Sequence, residues 1–362
     1  MNVTYYTTWD SVCGLADYAR HFKAGLEEEG VVVTVVSADR AETRADYREV
    51  AERMNGGDIA QINHEHSLFG KTFLSGIVNF YMFLGGIRIP TVVMLHELVS
   101  AREGAFLFGL RKFVLKLVYK ILFSRAALVL VHVEGQQRSL IEMGIGRDKV
   151  LLLPHPVPRL AGSLVDCRAK GVLGLEGKNV VTVFGFVFAR KGYETVLPII
   201  ESIPDTVLLI AGGRHPKDRS GYFEQLTRKI SEMGLGDKVK ITGYVSPEEV
   251  QGIMQATDIV LAPFHEMSGS GSLSIAAAFH KPILGSDIGP LRELKSQGLG
   301  IELFPNDDSE QLKSRLAGLL ADRRALESLA DQTKTYAERY SYRNAARRLS
   351  ELYQMLVPGG TN

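Results

Sequence analysis

The chain is poor in cysteine: of its 362 residues only Cys13 and Cys167 carry thiols. Two thiols so far apart make neither a CxxC pair nor a metal-ligand spacing, which excludes a disulfide-stapled secreted domain and predicts a reducing compartment. Charge of one sign is also missing. The 42 basic and 41 acidic residues leave a formal net charge of +1, so no global field draws the chain to nucleic acid, and any basic patch must be local. No apolar run is long enough to cross a bilayer. The longest uncharged stretch, Thr72 to Ile87, contains Ser, Asn and three Gly and falls short of the roughly 20 apolar residues that spanning requires; it reads as a buried helix. The opening Met1-Asn2-Val3-Thr4-Tyr5-Tyr6 lacks the basic-then-apolar order of a signal peptide. No G-x-G-x-x-G opens the first helix, where Gly14 stands alone, and this disfavours a dinucleotide dehydrogenase.

What is present is alternation. Short apolar strands at Val3–Thr7, Val31–Val36, Asp58–Ile62, Thr91–Leu95 and Leu128–Val133 are separated by helical patterns such as Ala16–Glu29, which predicts a parallel sheet covered by helices. The pattern restarts at Asn179, with strands at Val180–Phe184, Val207–Ala211, Val239–Gly243, Ile259–Ala262 and Pro282–Gly285. Two doubly wound α/β domains in series follow from this, as the chain length also suggests. Leu153-Pro154-His155-Pro156-Val157-Pro158 cannot be helical and marks the crossing. From Asp308 to Val357 the pattern is helical, and the apolar stripe of Tyr342–Leu356 needs a surface to cover.

One turn stands out. After the buried-strand pattern Asp258–Pro263 comes His265-Glu266-Met267-Ser268-Gly269-Ser270-Gly271-Ser272-Leu273, and then the alanine-rich Ser274–Ala278. The first N–H groups of a helix have no partner within it and lie at the positive end of its dipole, so such a turn can hold a phosphate. Glu266 would then accept hydrogen bonds from hydroxyls carried by the phosphate ester. A Gly/Ser connector with no ligand fits the same residues.

Other polar or glycine-rich segments follow strands in the same way, where ligands of open α/β sheets sit: Gly14, His64 and His66, His96, Gly185 to Lys191, and Gly243-Tyr244-Val245. Taken with Cys13-Gly14-Leu15-Ala16-Asp17-Tyr18, Val92–Glu97, Phe184-Gly185 with Arg190-Lys191-Gly192-Tyr193, and Ile241–Ser246 leading to the Glu266 turn, the chain resembles the retaining nucleotide-sugar glycosyltransferases of the GT-B fold, glycosyltransferase family 4.

The resemblance implies two Rossmann-like domains facing a cleft. Residues 1–157 form the acceptor side, with the helix at about 342–357 packing back on it, and 158–341 bind the nucleotide sugar. The catalytic group would be His96 on a sugar hydroxyl, Lys191 on the leaving diphosphate, and Glu266. Donor contacts would come from Gly14, Gly185, Arg190, Gly243, Tyr244, Val245, Ser270, Gly271, Ser272, Leu273 and Ser274. It further implies a UDP- or GDP-linked hexose donor, an acceptor glycan or lipid-linked sugar, no metal or other cofactor, and a cytoplasmic enzyme of polysaccharide or glycolipid assembly.

The chain departs from the family at three places. Phe186 replaces an arginine, with Arg190 as its candidate substitute; the second glutamate falls on Ser274 or Ile275; and His280 replaces a glycine. The lost carboxylate keeps open a noncatalytic nucleotide-sugar-binding protein, and the architecture alone also admits a sugar-nucleotide epimerase. Finally, residues 105–125 carry Arg111, Lys112, Lys116, Lys120 and Arg125 with no acid among Phe106, Phe108, Phe113, Leu117, Val118, Ile121 and Leu122. Either a core helix with a basic side or a peripheral contact with an anionic membrane produces that pattern.

Overall fold

The computed structural model describes residues 1–11, 13–40, 43–98, 108–160, 168–215, 218–267 and 271–357. Ser270, Phe106 and Cys167 lie outside the described residues. The chain divides into two compact units, Met1–Pro156 with Tyr340–Asn362, and Val157–Arg339.

The first unit is built on strands β1 (Asn2–Thr7), β2 (Val32–Ser37), β3 (Ile59–His64), β4 (Thr91–Leu95), β5 (Leu128–Val131) and β6 (Val150–Leu152). All pair in parallel in the order β2-β1-β3-β4-β5-β6, with Val3 opposite both Val33 and Ile59. Strands buried on both faces are apolar throughout rather than alternating. Tyr6, Ile62, Val93 and Val129 fill the core on one face, and Tyr5, Val92, Met94 and Leu130 fill that on the other. The C-terminal helix Tyr342–Leu356 returns to this second face. It lies on the helix Gly14–Glu28, where the bare Cα of Gly25 admits Ala346, and Tyr353 Oη donates to Gln61 Oε1 at 2.9 Å.

The second unit repeats the plan with β7 (Asn179–Phe184), β8 (Thr206–Ala211), β9 (Val239–Ile241), β10 (Ile259–Ala262), β11 (Ile283–Ser286) and β12 (Ile301–Phe304), in the parallel order β12-β11-β10-β7-β8-β9. Chain order reverses between β7 and β10, and the loops leaving such a pair diverge to open a crevice at their carboxyl ends. The sequence pattern shows ten of the twelve strands. It misses β6 and β12, edge strands of 3 and 4 residues.

Candidate functional site

The loops after β7 and β10 interlock. After Phe184 the chain passes Gly185, with φ of 92°, and enters a short 3-10 turn at Ala189–Lys191 that ends on Gly192, with φ of 66°. Glycine is needed at that end twice over. A side chain would be strained in the left-handed region, and its Cβ would collide with the carbonyl oxygen of Pro263. The amide of His265 donates to the Arg190 carbonyl at 2.9 Å. Lys191 and Glu266 are thus set in one rigid pair of loops, although they are 75 positions apart in the chain.

Lys191 points inward. It is 8% exposed, its Nζ donates to the Phe184 carbonyl oxygen, and the ammonium lies 5.9 Å from the centre of the Phe264 ring. A Cβ on Gly185 would stand 3.0 Å from that ammonium, so the bare backbone keeps its surroundings open. Burial, with the neighbouring Arg190 charge adding, brings the amine from its usual 10.5 down to about 7. A phosphate beside it would reverse that shift, because an anion favours the charged form. The Arg190 guanidinium stacks on the Phe188 ring at 4.6 Å. With Glu266 and the His265–Asp307 pair, whose Nδ1 and Oδ1 are 2.9 Å apart, Arg190 lines a cavity of about 650 Å³.

Further along the sheet the loops are joined by backbone. Gly185 N donates to Ala211 O and Val187 N to Gly213 O, each at 2.9 Å, and Gly212 N donates to Thr242 Oγ1 at 3.1 Å. Gly243 and Val245 are half-buried. Tyr244 is exposed, with its ring 6.4 Å from that of Phe186. The helix Gly271–Ala278 starts on the open side, where Gly271 has nothing within 4 Å of a built Cβ. Leu273 and Ser274 are buried and Ser272 is half-buried, so the Leu273 and Ser274 side chains turn into the unit. Ile275 is half-buried.

Gly14 and His96 belong to the first unit, where a series of imidazoles forms. His64 ends β3, His96 follows β4, His132 follows β5, and His155 comes shortly after β6. His132 Nδ1 lies 2.9 Å from the Leu153 carbonyl oxygen, its Nε2 is 3.3 Å from His96 Nδ1, and His96 Nε2 is 3.2 Å from the Asn63 carboxamide oxygen. A carbonyl only accepts, so His132 carries its proton on Nδ1. Burial foremost, and the neighbouring imidazoles next, hold both rings well on the neutral side, with His132 lowered to about 3. A neutral His132 therefore accepts at Nε2 from His96 Nδ1–H, which leaves His96 Nε2 an acceptor. The two ends of a carboxamide are interchangeable in shape, and Asn63 also meets Tyr5 Oη and Thr7 Oγ1 at 2.9 and 3.0 Å. Both hydroxyls can donate, so an amide with its nitrogen toward His96 satisfies every member of the chain without a buried imidazolium. A ligand hydroxyl reaching His96 Nε2 would exchange with that amide.

His64 has no such opening. It is 1% exposed among Phe69, Phe80 and Phe123, which makes it a core residue rather than one facing an acceptor. His66 is held 3.2 Å from Tyr119 Oη.

Sequence reasoning missed Asn63, His132 and His155, although a polar residue at the end of each successive strand was a signal in plain view. It also missed Asp39, whose carboxylate accepts from Trp9 N, Asp10 N, Ser11 Oγ and Ser37 Oγ and so orders the loop ahead of Gly14. Those hydrogen bonds outweigh partial burial and hold the Asp39 carboxyl down at about 2. Among the described residues no cluster of three or more His, Cys, Asp or Glu side chains is placed to hold a metal ion.

Two parallel six-stranded sheets, each with helices on both faces and polar or glycine-rich loops at the carboxyl ends, define the GT-B class of glycosyltransferase folds. HepE of Anabaena, in a crystal structure with UDP and glucose, matches with a TM-score of 0.77 over 98% of this chain and 100% of that one at 16% identity, a likeness of fold. Residues 168–339, nearly all of the second unit, match the family described as glycosyl transferases group 1. D-inositol 3-phosphate glycosyltransferase of Corynebacterium urealyticum is 31% identical over 199 residues, covering 52% of this chain and 46% of that protein. Alpha-galactosylglucosyldiacylglycerol synthase of Streptococcus pneumoniae is 25% identical over 293 residues, covering 78% and 74%. Of several curated relatives that it matches, the chain spans about half the length.

Proposed function

We propose that the protein transfers a hexose-type sugar from a UDP- or GDP-linked donor to an acceptor hydroxyl, with retention of configuration and without a metal, in polysaccharide or glycolipid assembly. The observation that carries this reading is Lys191: a buried amine fixed between two interlocked loops at the switch point of a parallel sheet, beside the bare Gly185. Breaking the bond from the anomeric carbon to the donor oxygen leaves new negative charge on the nucleoside diphosphate. A preorganised cation at that position stabilises it, and the N–H groups opening the helix at Gly271 add to the field. Glu266 serves the sugar hydroxyls, and the backbone of Gly243 to Val245 serves the base. From the first unit Gly14 leaves room for the phosphates, and the neutral His96 accepts from a sugar hydroxyl. The second unit is the donor domain and the first the acceptor domain. Names among the relatives, a glycosyltransferase of inositol 3-phosphate and a synthase of a diacylglycerol glycolipid, support a polyol or glycolipid acceptor. The test is calorimetric titration with UDP, GDP, ADP and their hexose conjugates, first without and then with magnesium. Binding of one base without metal, lost in Lys191→Met, is the expected result. Binding without turnover on any hydroxyl acceptor would leave a nucleotide-sugar-binding protein, the outcome that Ser274 and Ile275 at the second acid's place would explain.

A further inference from the structure

The helix Phe108–Ser124 has two apolar faces where a surface helix has one. Leu115, Tyr119, Leu122 and Phe123 are buried in the core of the first unit. On the opposite side Phe113 is 64% exposed, Leu117 50%, Val114 48% and Ile121 45%, with Lys116 and Lys120 along one edge of that stripe. At helical spacing Phe113, Leu117 and Ile121 lie above one another, so the exposure is a continuous strip. The neighbouring helix Phe73–Gly86 packs against this one and has no charged residue of its own. It adds Leu74, 70% exposed, together with Phe73 and Tyr81. The Arg125 guanidinium sits over the Tyr81 ring at 5.3 Å and carries positive charge to the far end of the face. Seven large apolar side chains on two adjacent helices exceed the scattered exposure of an ordinary monomer surface.

We propose that the outer faces of these two helices form a docking surface for an anionic lipid bilayer, their apolar side chains entering the headgroup boundary while the cations at the edge meet lipid phosphates. Charge selects this occupant over a second copy of the chain. A two-fold interface would set Lys116, Lys120 and Arg125 of each copy against the same patch of the other, whereas an anionic membrane neutralises all of them. Residues 113–125 of this segment carry Lys116, Lys120 and Arg125 and no acid.

The full-length chain is mixed with vesicles of phosphatidylcholine alone and of an equal mixture of phosphatidylcholine and phosphatidylglycerol, and bound protein is measured by sedimentation at low and high salt. Retention on the mixed vesicles at low salt, weakened by salt and by omission of the anionic lipid, is expected. Lys116→Glu with Lys120→Glu lowers partitioning by about 20-fold or more, since each basic residue near the surface contributes about a factor of five. Leu117→Ser with Ile121→Ser lowers it on both vesicle types, and circular dichroism checks that each variant is folded. These side chains are exposed, so the substitutions leave the core intact. No retention on the anionic vesicles at low salt would overturn the proposal. So would retention that ignores both pairs of substitutions, or a concentration-dependent dimer dissolved by Leu117→Ser with Ile121→Ser, which would assign the face to self-association. None of these readouts depends on glycosyl transfer.

Discussion

The carboxyl ends of the two sheets are finished with different chemistry. In the second unit the loops are mostly glycine and backbone, with a single buried amine that burial brings to about 7. In the first unit the same positions carry imidazoles that burial keeps neutral, with His64 and His132 at about 3 and His155 at about 4. Burial lowers both kinds of base, yet the outcomes differ because their starting points differ. A lysine brought down to near 7 regains its charge when an anion arrives, while a histidine brought down to 3 remains a neutral hydrogen-bonding group at any physiological pH. One end suits a phosphate; the other suits hydroxyls.

Acid should break that comparison most severely. Between about pH 6.5 and pH 4 the unfolded chain takes up protons that the native imidazoles refuse, so stability falls as pH falls through that window. At pH 5 each buried ring costs on the order of 2 kcal/mol. Among the described residues the rings packed on His132 are those of Tyr18, His96 and His155, which supply no negative charge to offset the cost. The one tryptophan, Trp9, reports on the first unit. Its urea midpoint is expected to drop sharply from pH 7 to pH 5, ahead of the transition seen by circular dichroism for the whole chain. Coincident shifts would show that the two units do not differ in this way.

Lys191→Met removes the charge and keeps much of the volume. Loss of a preorganised cation at a leaving diphosphate should cost about 10²–10³ in turnover, with UDP affinity also lowered. Stability should move the other way. The native amine releases a proton across the window from about 7 to 10.5 that the unfolded chain retains, so wild-type stability rises with pH there and carries the full burial penalty below 7. The methionine variant should therefore unfold later than wild type at pH 6, and that advantage should shrink toward pH 10. A variant less stable at pH 6 would mean that the amine stabilises the fold.

Gly192→Ala tests the loops rather than the charge. A side chain at φ of 66° with Pro263 O in its path should destabilise by about 1–3 kcal/mol, seen as a lower thermal midpoint. It should also loosen Lys191 from Glu266, so donor affinity falls with it.

Much of this was legible in the residues. Apolar runs between helical patterns gave the two sheets, and prolines at 154, 156 and 158 flank the boundary at Pro156 and Val157. Glycines after β7 and β9 pointed to backbone-lined loops. What stayed hidden were relations between distant positions. Nothing local to Lys191 says that Pro263 walls in the turn beside it, and nothing local to His96 says that Leu153, two strands away, dictates its tautomer through His132. Ser274 looked available to a ribose hydroxyl from its spacing alone, whereas its place inside the helix turns it into the unit. The two-sided helix Phe108–Ser124 was ambiguous for a related reason: only burial separates its core face from its outer one.

Gly14→Ala should have the smallest effect on folding and is the sharpest test of why that residue is glycine. Gly14 opens the helix Gly14–Glu28, and a built Cβ meets nothing within 4 Å. The protein itself leaves room for the methyl group, and alanine is the better helix former by up to about 1 kcal/mol in a helix interior and less at its first residue. The thermal midpoint should therefore hold or rise slightly. If Gly14 is there to let a donor phosphate approach the loop that Asp39 orders, UDP-sugar affinity should fall in the same variant, and stability and binding would part in opposite directions. A variant that keeps full affinity would make Gly14 an ordinary turn between strand and helix, and would leave the phosphates to the loops of the second unit.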